Sequence, residues 1–276
     1  MLNGNGKVER FLSSRSVFTR QEFRDTVSPG QPFSSSDSLL RYHVSTGRVR
    51  HVAPGVYAAM PPHLNPKTFR PDRLLVASRI RTDGVLAFHT ALELHGLAYS
   101  ESAETQLLSK GRPGELKTSV GTVRFVAQPV ALRRSAAELD GTVVIDRRGL
   151  DMRVTTVERT LVDCVERPDL AGGIEELSNA LQMVRALDVR ALVDLATARE
   201  NQSLVGILGC WLESRREDLF VDDKVLSDLK RSAPSVPRAV LGATPQAGEA
   251  HPEWNVVLPN EFLHPSFEGN SLEMTP

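Results

Sequence analysis

Phe18-Thr19-Arg20-Gln21-Glu22-Phe23, then Ser34-Ser35-Ser36-Asp37-Ser38-Leu39-Leu40-Arg41-Tyr42-His43-Val44-Ser45, Gly47, and Arg48-Val49-Arg50-His51-Val52-Ala53-Pro54-Gly55-Val56-Tyr57 make up the stretch whose reading decides the fold. Thr19 and Glu22 stand at the capping-box spacing, with Phe18 placed to act as a hydrophobic staple, so a short helix is predicted to start at Thr19. The serines at 34–36 and the acid at Asp37 supply caps and a favourable first-turn charge for a second helix, which Gly47 ends. Leu40 and Val44 lie one turn apart and face inward. Ser38, Arg41, Tyr42 and Ser45 are left on the opposite face. Val49, Val52, Val56 and Tyr57 then pair as two strands turning at Ala53-Pro54-Gly55.

Helix, turn, helix and strand pair in that order read as a winged helix-turn-helix over residues 1–60. Small hydroxyl donors, a guanidinium and a phenol on one helix face suit the major groove of double-stranded DNA, where they reach base edges and phosphates. Arg48, Arg50 and His51 along the strand pair suit a phosphate clamp. With Thr19, Arg20, Ser34, Ser35 and Ser36 at the helix starts, these residues form the candidate DNA-binding set. Charge agrees. Residues 1–60 carry Lys7, Arg10, Arg15, Arg20, Arg24, Arg41, Arg48 and Arg50 against Glu9, Glu22, Asp25 and Asp37, a net of +4, whereas the whole chain is at −1. A winged helix can also serve as a protein-docking module, and that reading stays open here.

At 276 residues the chain is long enough for a second core. The fold class expected is α+β: the winged helix, then a larger mixed α/β domain over 67–230 with a helical C-terminal half, then a Pro-rich tail over 231–276 that is partly extended or disordered. Pro61, Pro62 and Pro66 mark the linker between the first two. In the larger domain a helix is predicted from Pro71 to Ile80, with proline in its first turn, and a strand over 84–88. A second helix covers His89 to His95, and strands cover 105–108, 122–127, 142–145 and 152–154. A second capping box is read at Thr155-Thr156-Val157-Glu158. Helices follow over 156–166, 173–186, 189–198 and 205–217, the third capped by Asp188. Within the tail, Trp254 to Leu258 is apolar enough to dock as a strand.

Nothing in the sequence points to a cofactor or a metal. His89 and His95 are six apart, the wrong spacing for one helical face. Gly4-Asn5-Gly6 and Gly111-Arg112-Pro113-Gly114 read as turns, since neither carries the Gly-Lys-Ser/Thr ending that cradles phosphate. Arg159 and Asp163, four apart on one helix, read as an ion pair. Cys164 and Cys210 lie in apolar helical patterns and read as small buried hydrophobes in a reducing compartment. The N-terminus lacks a leader's apolar stretch, and no run approaches a membrane span. The expected location is therefore cytoplasmic, nucleoid-associated when DNA is bound, with no membrane partner.

Five blocks carry a family resemblance: Phe18-Thr19-Arg20-Gln21; Ser36 to Val44 before Gly47; Pro54-Gly55-Val56-Tyr57-Ala58; Phe88-His89-Thr90-Ala91-Leu92-Glu93-Leu94-His95-Gly96-Leu97; and Val154-Thr155-Thr156-Val157-Glu158-Arg159-Thr160-Leu161-Val162-Asp163. In that order the chain resembles AbiEi-type antitoxins across roughly residues 8–200. The resemblance implies a transcriptional autorepressor of a toxin-antitoxin operon. Its winged helix binds operator DNA and its larger domain counteracts a nucleotidyltransferase-like toxin, with direct contact left open. It names no catalytic residue and implies no enzyme. The competing reading is a winged-helix-guided, metal-dependent nuclease using carboxylates such as Asp146 and Asp163, and a third has the winged helix bind the toxin instead of DNA.

Overall fold

A computed structural model describes residues 4–260 and 262–264, beginning with helix α1 (Gly4–Ser14). The Gly4-Asn5-Gly6 run predicted as a turn is therefore helical. Burial decides this over propensity, because Val8 and Phe11 on α1 pack into a core with Phe18, Phe23, Val27, Leu40, Val49 and Ala59. Strand β1 (Val17–Thr19) leads into helix α2 (Arg20–Val27) through the predicted capping box. The Glu22 N–H donates to Thr19 Oγ1 at 3.1 Å and the Thr19 N–H to Glu22 Oε2 at 2.6 Å. Phe11 meets Phe18 edge-on at 4.9 Å and Phe23 at 5.4 Å, the arrangement that ring quadrupoles favour.

Helix α3 (Phe33–Ser45) starts earlier than the serines suggest. Its cap position is Pro32, and no side chain caps it. Ser34, Ser35 and Ser36 are thus first-turn residues, and the proline ahead of them sets the entry angle. Leu40 is buried and Val44 packs on the same core, as predicted. His43, which the inward pair did not anticipate, is buried too: it is 1% exposed, and neither ring nitrogen has a hydrogen-bond partner. Strands β2 (Val49–Ala53) and β3 (Val56–Ala59) follow, turning at Gly55 with φ +73, and the sheet order is β1-β3-β2, antiparallel throughout.

Helix α4 (Arg73–Ile80) is capped by Asp72, whose Oδ1 accepts from Leu74 N–H at 3.0 Å and Leu75 N–H at 3.3 Å, so Pro71 precedes the cap instead of entering the first turn. The chain then gives β4 (Val85–Leu86), α5 (Phe88–His95), β5 (Glu104–Ser109), β6 (Gly114–Thr118), β7 (Gly121–Ala127), α6 (Val130–Arg134), β8 (Thr142–Arg147) and β9 (Leu150–Thr155). The six strands pair in the order β6-β7-β5-β4-β9-β8. Neighbours alternate between antiparallel and parallel across this mixed sheet. Strand β6 had no counterpart in the sequence reading. It is an exposed edge with no apolar alternation to announce it.

Two compact units divide the chain. The first comprises residues 1–90, 102–128 and 142–155, so it holds both sheets described above and does not break between residues 60 and 67. Helix α4 packs against β1, β2 and β3, and Arg79 on α4 reaches Glu22 on α2 at 3.5 Å. The prolines at 61–66 interrupt helix without separating two bodies.

The second unit comprises residues 91–101, 129–141 and 156–276, and it is mostly helical: α7 (Val157–Glu166), α8 (Pro168–Ala171), α9 (Ile174–Met183), α10 (Val189–Thr197), α11 (Gln202–Ser214) and α12 (Asp223–Lys230). The cap of α7 is Thr156, which accepts from Arg159 N–H at 3.3 Å. Glu158 accepts from Asp188 N–H at 3.0 Å, so the capping box read from Thr155 gives way to a bond with the start of α10. After α12 the chain makes β10 (Arg238–Ala239), β11 (Gly248–His251), a 3-10 turn (Pro252–Trp254) and β12 (Val256–Pro259), in the order β10-β12-β11. The expected strand within 254–258 is β12. Trp254 is buried against α11 where glycines make room: a Cβ on Gly209 would lie 2.2 Å from the indole. Much of the Pro-rich tail is therefore folded, and residues 265–276 lie outside the described residues, as do Met1 to Asn3.

On α7 in the second unit, buried Asp163 lies between two guanidiniums. Arg159 Nε reaches its Oδ2 at 3.3 Å, Arg199 Nη2 donates to Oδ1, and all three side chains are essentially unexposed. Arg159 also donates to the carbonyls of Glu138 at 2.8 Å and Asp140 at 2.6 Å, while Arg199 Nε lies 3.5 Å from Glu166. Removing the shared carboxylate strands two buried cations. Asp163→Ala should lower unfolding free energy by about 3 to 5 kcal/mol in urea titrations, the usual cost of breaking a buried pair. A loss under about 1 kcal/mol would show that water already reaches the network.

Burial, with Arg48 adding repulsion against a smaller pull from Glu9, pushes the His43 pKa below its ordinary value. The unfolded chain then binds a proton that the folded chain resists, so stability is full above pH about 6.5 and falls as pH drops through that value. His43→Leu should flatten this acid limb in melting temperatures taken from pH 7.5 to 5. An unchanged limb assigns it to other groups.

Candidate nucleic-acid interface

Of the twelve residues singled out from sequence, α3 presents Ser34, Ser35, Ser38, Arg41, Tyr42 and Ser45 to solvent. Tyr42 is 58% exposed, and its ring lies 5.2 Å from His43 beneath it. Arg41 is held along the helix by a 3.3 Å bond from Nε to the Asp37 carbonyl, which leaves the rest of its fork free to reach outward. Ser45 Oγ donates to the Tyr42 carbonyl at 2.9 Å. Ser36 differs. It is buried and its Oγ donates to the Phe33 carbonyl at 3.0 Å, so it contributes to packing and not to this face.

The other basic members have protein partners. Arg20 forks onto Asp37, with Nε to Oδ1 at 2.6 Å, and this bond holds the Asp37 carboxyl below its ordinary pKa. The pair ties α2 to α3. Thr19 is the α2 cap. Arg48 is bonded to Glu9 of α1. Arg50 donates to the carbonyls of Phe69 at 2.9 Å and of Pro66, with its guanidinium 5.6 Å from the Phe69 ring. It straps the segment after β3 onto β2, a role that local sequence did not signal because its acceptors lie 16 and 19 residues away. His51 is exposed, with its ring against Tyr57 at 5.2 Å.

Charge separates more sharply by compact unit than by sequence window. The first unit holds twenty Lys and Arg against ten Asp and Glu, a formal +10; the second holds thirteen against twenty-four, a formal −11, matching the chain's −1. Residues well past 60, among them Arg70, Arg73, Arg79, Arg81, Lys110, Arg112, Lys117, Arg147 and Arg148, belong to the basic unit. Such a field attracts polyanions. The Ser119 N–H donates to the Val52 carbonyl at 3.2 Å, which brings the β6–β7 turn, beside Lys117, against strand β2.

The carboxylates considered for a metal are otherwise engaged. Both oxygens of Asp163 meet arginines, and Asp146 Oδ1 accepts from Gly149 N–H at 3.3 Å in the β8–β9 turn. Among the described residues no three His, Cys, Asp or Glu gather as metal ligands. His89 is buried, and its backbone N–H donates to Gln106 Oε1 at 3.0 Å. Cys164 and Cys210 are buried free thiols; burial raises both pKa values, that of Cys210 to about 12, so neither is a nucleophile near neutral pH. Among the described residues no helix is long and apolar enough to cross a membrane.

No curated protein matches the chain by sequence. Its fold is similar to that in the crystal structure of the RV2827C protein from Mycobacterium tuberculosis, with a TM-score of 0.55 over 94% of this chain and 92% of that one, at 16% identity. At that identity the likeness speaks for the fold alone. Residues 84–210 match the family model of the AbiEi antitoxin C-terminal domain, a span running from β4 into α11 and containing the Arg159–Asp163–Arg199 network. Over that span the chain is similar to the C-terminal domain of AbiEi-type antitoxins.

Proposed function

We propose that this protein is an antitoxin that also represses its own operon by binding double-stranded operator DNA. The antitoxin role rests on the family match over residues 84–210. Its target on this reading is a nucleotidyltransferase-like toxin encoded alongside. The repressor role rests on the solvent face of α3, where Ser38, Arg41, Tyr42 and Ser45 stand together in a unit of net charge +10. Helices α2 and α3 with β2 and β3 then act as a winged helix-turn-helix: α3 enters the major groove, and the β2–β3 ribbon lies along the backbone. Arg41 is the best-placed base reader, and the bonds of Arg48 and Arg50 favour a supporting role for them. Neither task uses a catalytic residue, metal or cofactor.

DNA reading and toxin neutralisation should separate by point substitution. Cutting the chain at residue 66 would instead strip α4 of the strands it packs on. Arg41→Ala should weaken specific operator binding by about 1 to 3 kcal/mol while the fold survives, as read by titration of the purified protein with its upstream DNA. Wild-type affinity would remove Arg41 from the interface.

Cells carrying the neighbouring toxin gene test the other role. Arg41→Ala protein, expressed from an independent promoter, should rescue growth as well as wild type while failing to silence a reporter on the native promoter. If rescue is lost together with repression, neutralisation runs through DNA binding. Should wild-type protein give no rescue, the antitoxin assignment falls.

A further inference from the structure

Between α11 and α12 the backbone is fixed by two bonds, Phe220 N–H to the Glu217 carbonyl at 3.4 Å and Val221 N–H to the Arg216 carbonyl at 2.9 Å. This is the pattern of a helix stop whose next-to-last residue is left-handed, a position that favours glycine. Here it is Phe220, with φ +53. Leu219 and Val221 on either side are buried, whereas Phe220 is 92% exposed. The turn is anchored, and the ring is held out in water. A phenylalanine in this place lowers stability through backbone strain and leaves its apolar surface unburied, so its contribution lies outside the fold. It belongs to the acidic unit; of the acids flanking it, Asp218 and Asp223 are paired with Arg215 and Arg216, and Asp222 caps α12.

The first unit carries a matching feature. A groove of about 800 Å³ is lined by Arg20, Arg24, Phe33, Pro54, Arg79 and Ile80 among others. Glu22 and Asp37 also line it, and they are engaged by Arg79 and Arg20. Phe33 is 68% exposed, and the Arg24 guanidinium lies 4.1 Å from its ring. Phe33 and Phe220 are the two exposed phenylalanines among the described residues. One lies against a guanidinium in a unit of +10 and the other is carried by a unit of −11.

We propose that Phe220 of one copy of this chain docks into the Arg24–Phe33 groove of a second copy. The two phenyl rings pair, and the net-negative unit of one copy meets the net-positive unit of the other. The contact joins one copy to another. Its strength is electrostatically assisted, so it weakens as salt shortens the Debye length.

Sedimentation of the full-length protein tests this at roughly 50 and 500 mM salt, where the screening length falls severalfold. The expected result is a concentration-dependent dimer at low salt that dissociates at high salt. Phe220→Gly should raise the melting temperature by about 2 to 4 °C by relieving the strain, yet weaken dimerisation about tenfold or more. Arg24→Glu, checked for an unchanged circular dichroism spectrum, should weaken it comparably from the other side. A wild-type monomer at every concentration overturns the proposal, as does a Phe220→Gly dimer as tight as wild type. In either case Phe220 would serve a different partner. A Phe220→Gly protein that melts below wild type would show that the ring supports its own fold, and would sink the premise.

Discussion

Helix α4 is buried on more than one side, and the first unit depends on it. Leu74, Leu75, Val76 and Ala77 are four consecutive residues at 5% exposure or less. A helix with one apolar stripe cannot show that pattern. Its neighbours include β1, β2 and β3 on one hand and β4, β5 and β9 on the other. The proposed winged helix and the six-stranded sheet therefore share a core. A three-stranded sheet built in this way is held rigidly, and substitutions in α4 should be felt at both sheets.

The second unit solves a different problem. Asp163 on α7 is compensated by Arg159 and Arg199, with the Glu138 and Asp140 carbonyls taking further guanidinium hydrogens. Buried charges of this kind contribute little net stability but penalise every arrangement that separates them. Gly141, at φ +63, lets the chain pass close to the Arg159 side chain; a Cβ there would lie 2.8 Å from Arg159 Cβ. The family-matched span is thus tied together by polar bonds whose members are far apart in sequence.

Electrostatics join the two descriptions. Formal charges of +10 and −11 in one chain nearly cancel, so the overall −1 conceals two strongly charged bodies. On the proposals above a polyanion meets the first unit and a cationic protein surface the second, and both interactions should then depend steeply on salt.

Sequence alone determined the elements whose causes are local. The Thr19–Glu22 box, the inward Leu40, the break at Gly47, the Pro54-Gly55 turn and the Asp188 cap each depend on residues within a few positions of one another, and each is found where the spacing put it. The four-residue spacing of Arg159 and Asp163 was enough to suggest their pairing. Tertiary structure decided whatever depends on distant partners. Arg199 joins Asp163 across 36 residues, and Arg50 is diverted to backbone carbonyls 16 and 19 residues on. Strand β6 exists because β7 pairs with it. His43 lies outside the inward pair read from sequence, yet it is buried. Charge segregation was only half legible, since a window of 60 residues saw +4 and the contacts that gather three separated segments into one unit raise it to +10. Caps and turns are short-range hydrogen-bond problems that sequence can solve, whereas burial and charge grouping are set by chain segments that meet only in the folded state.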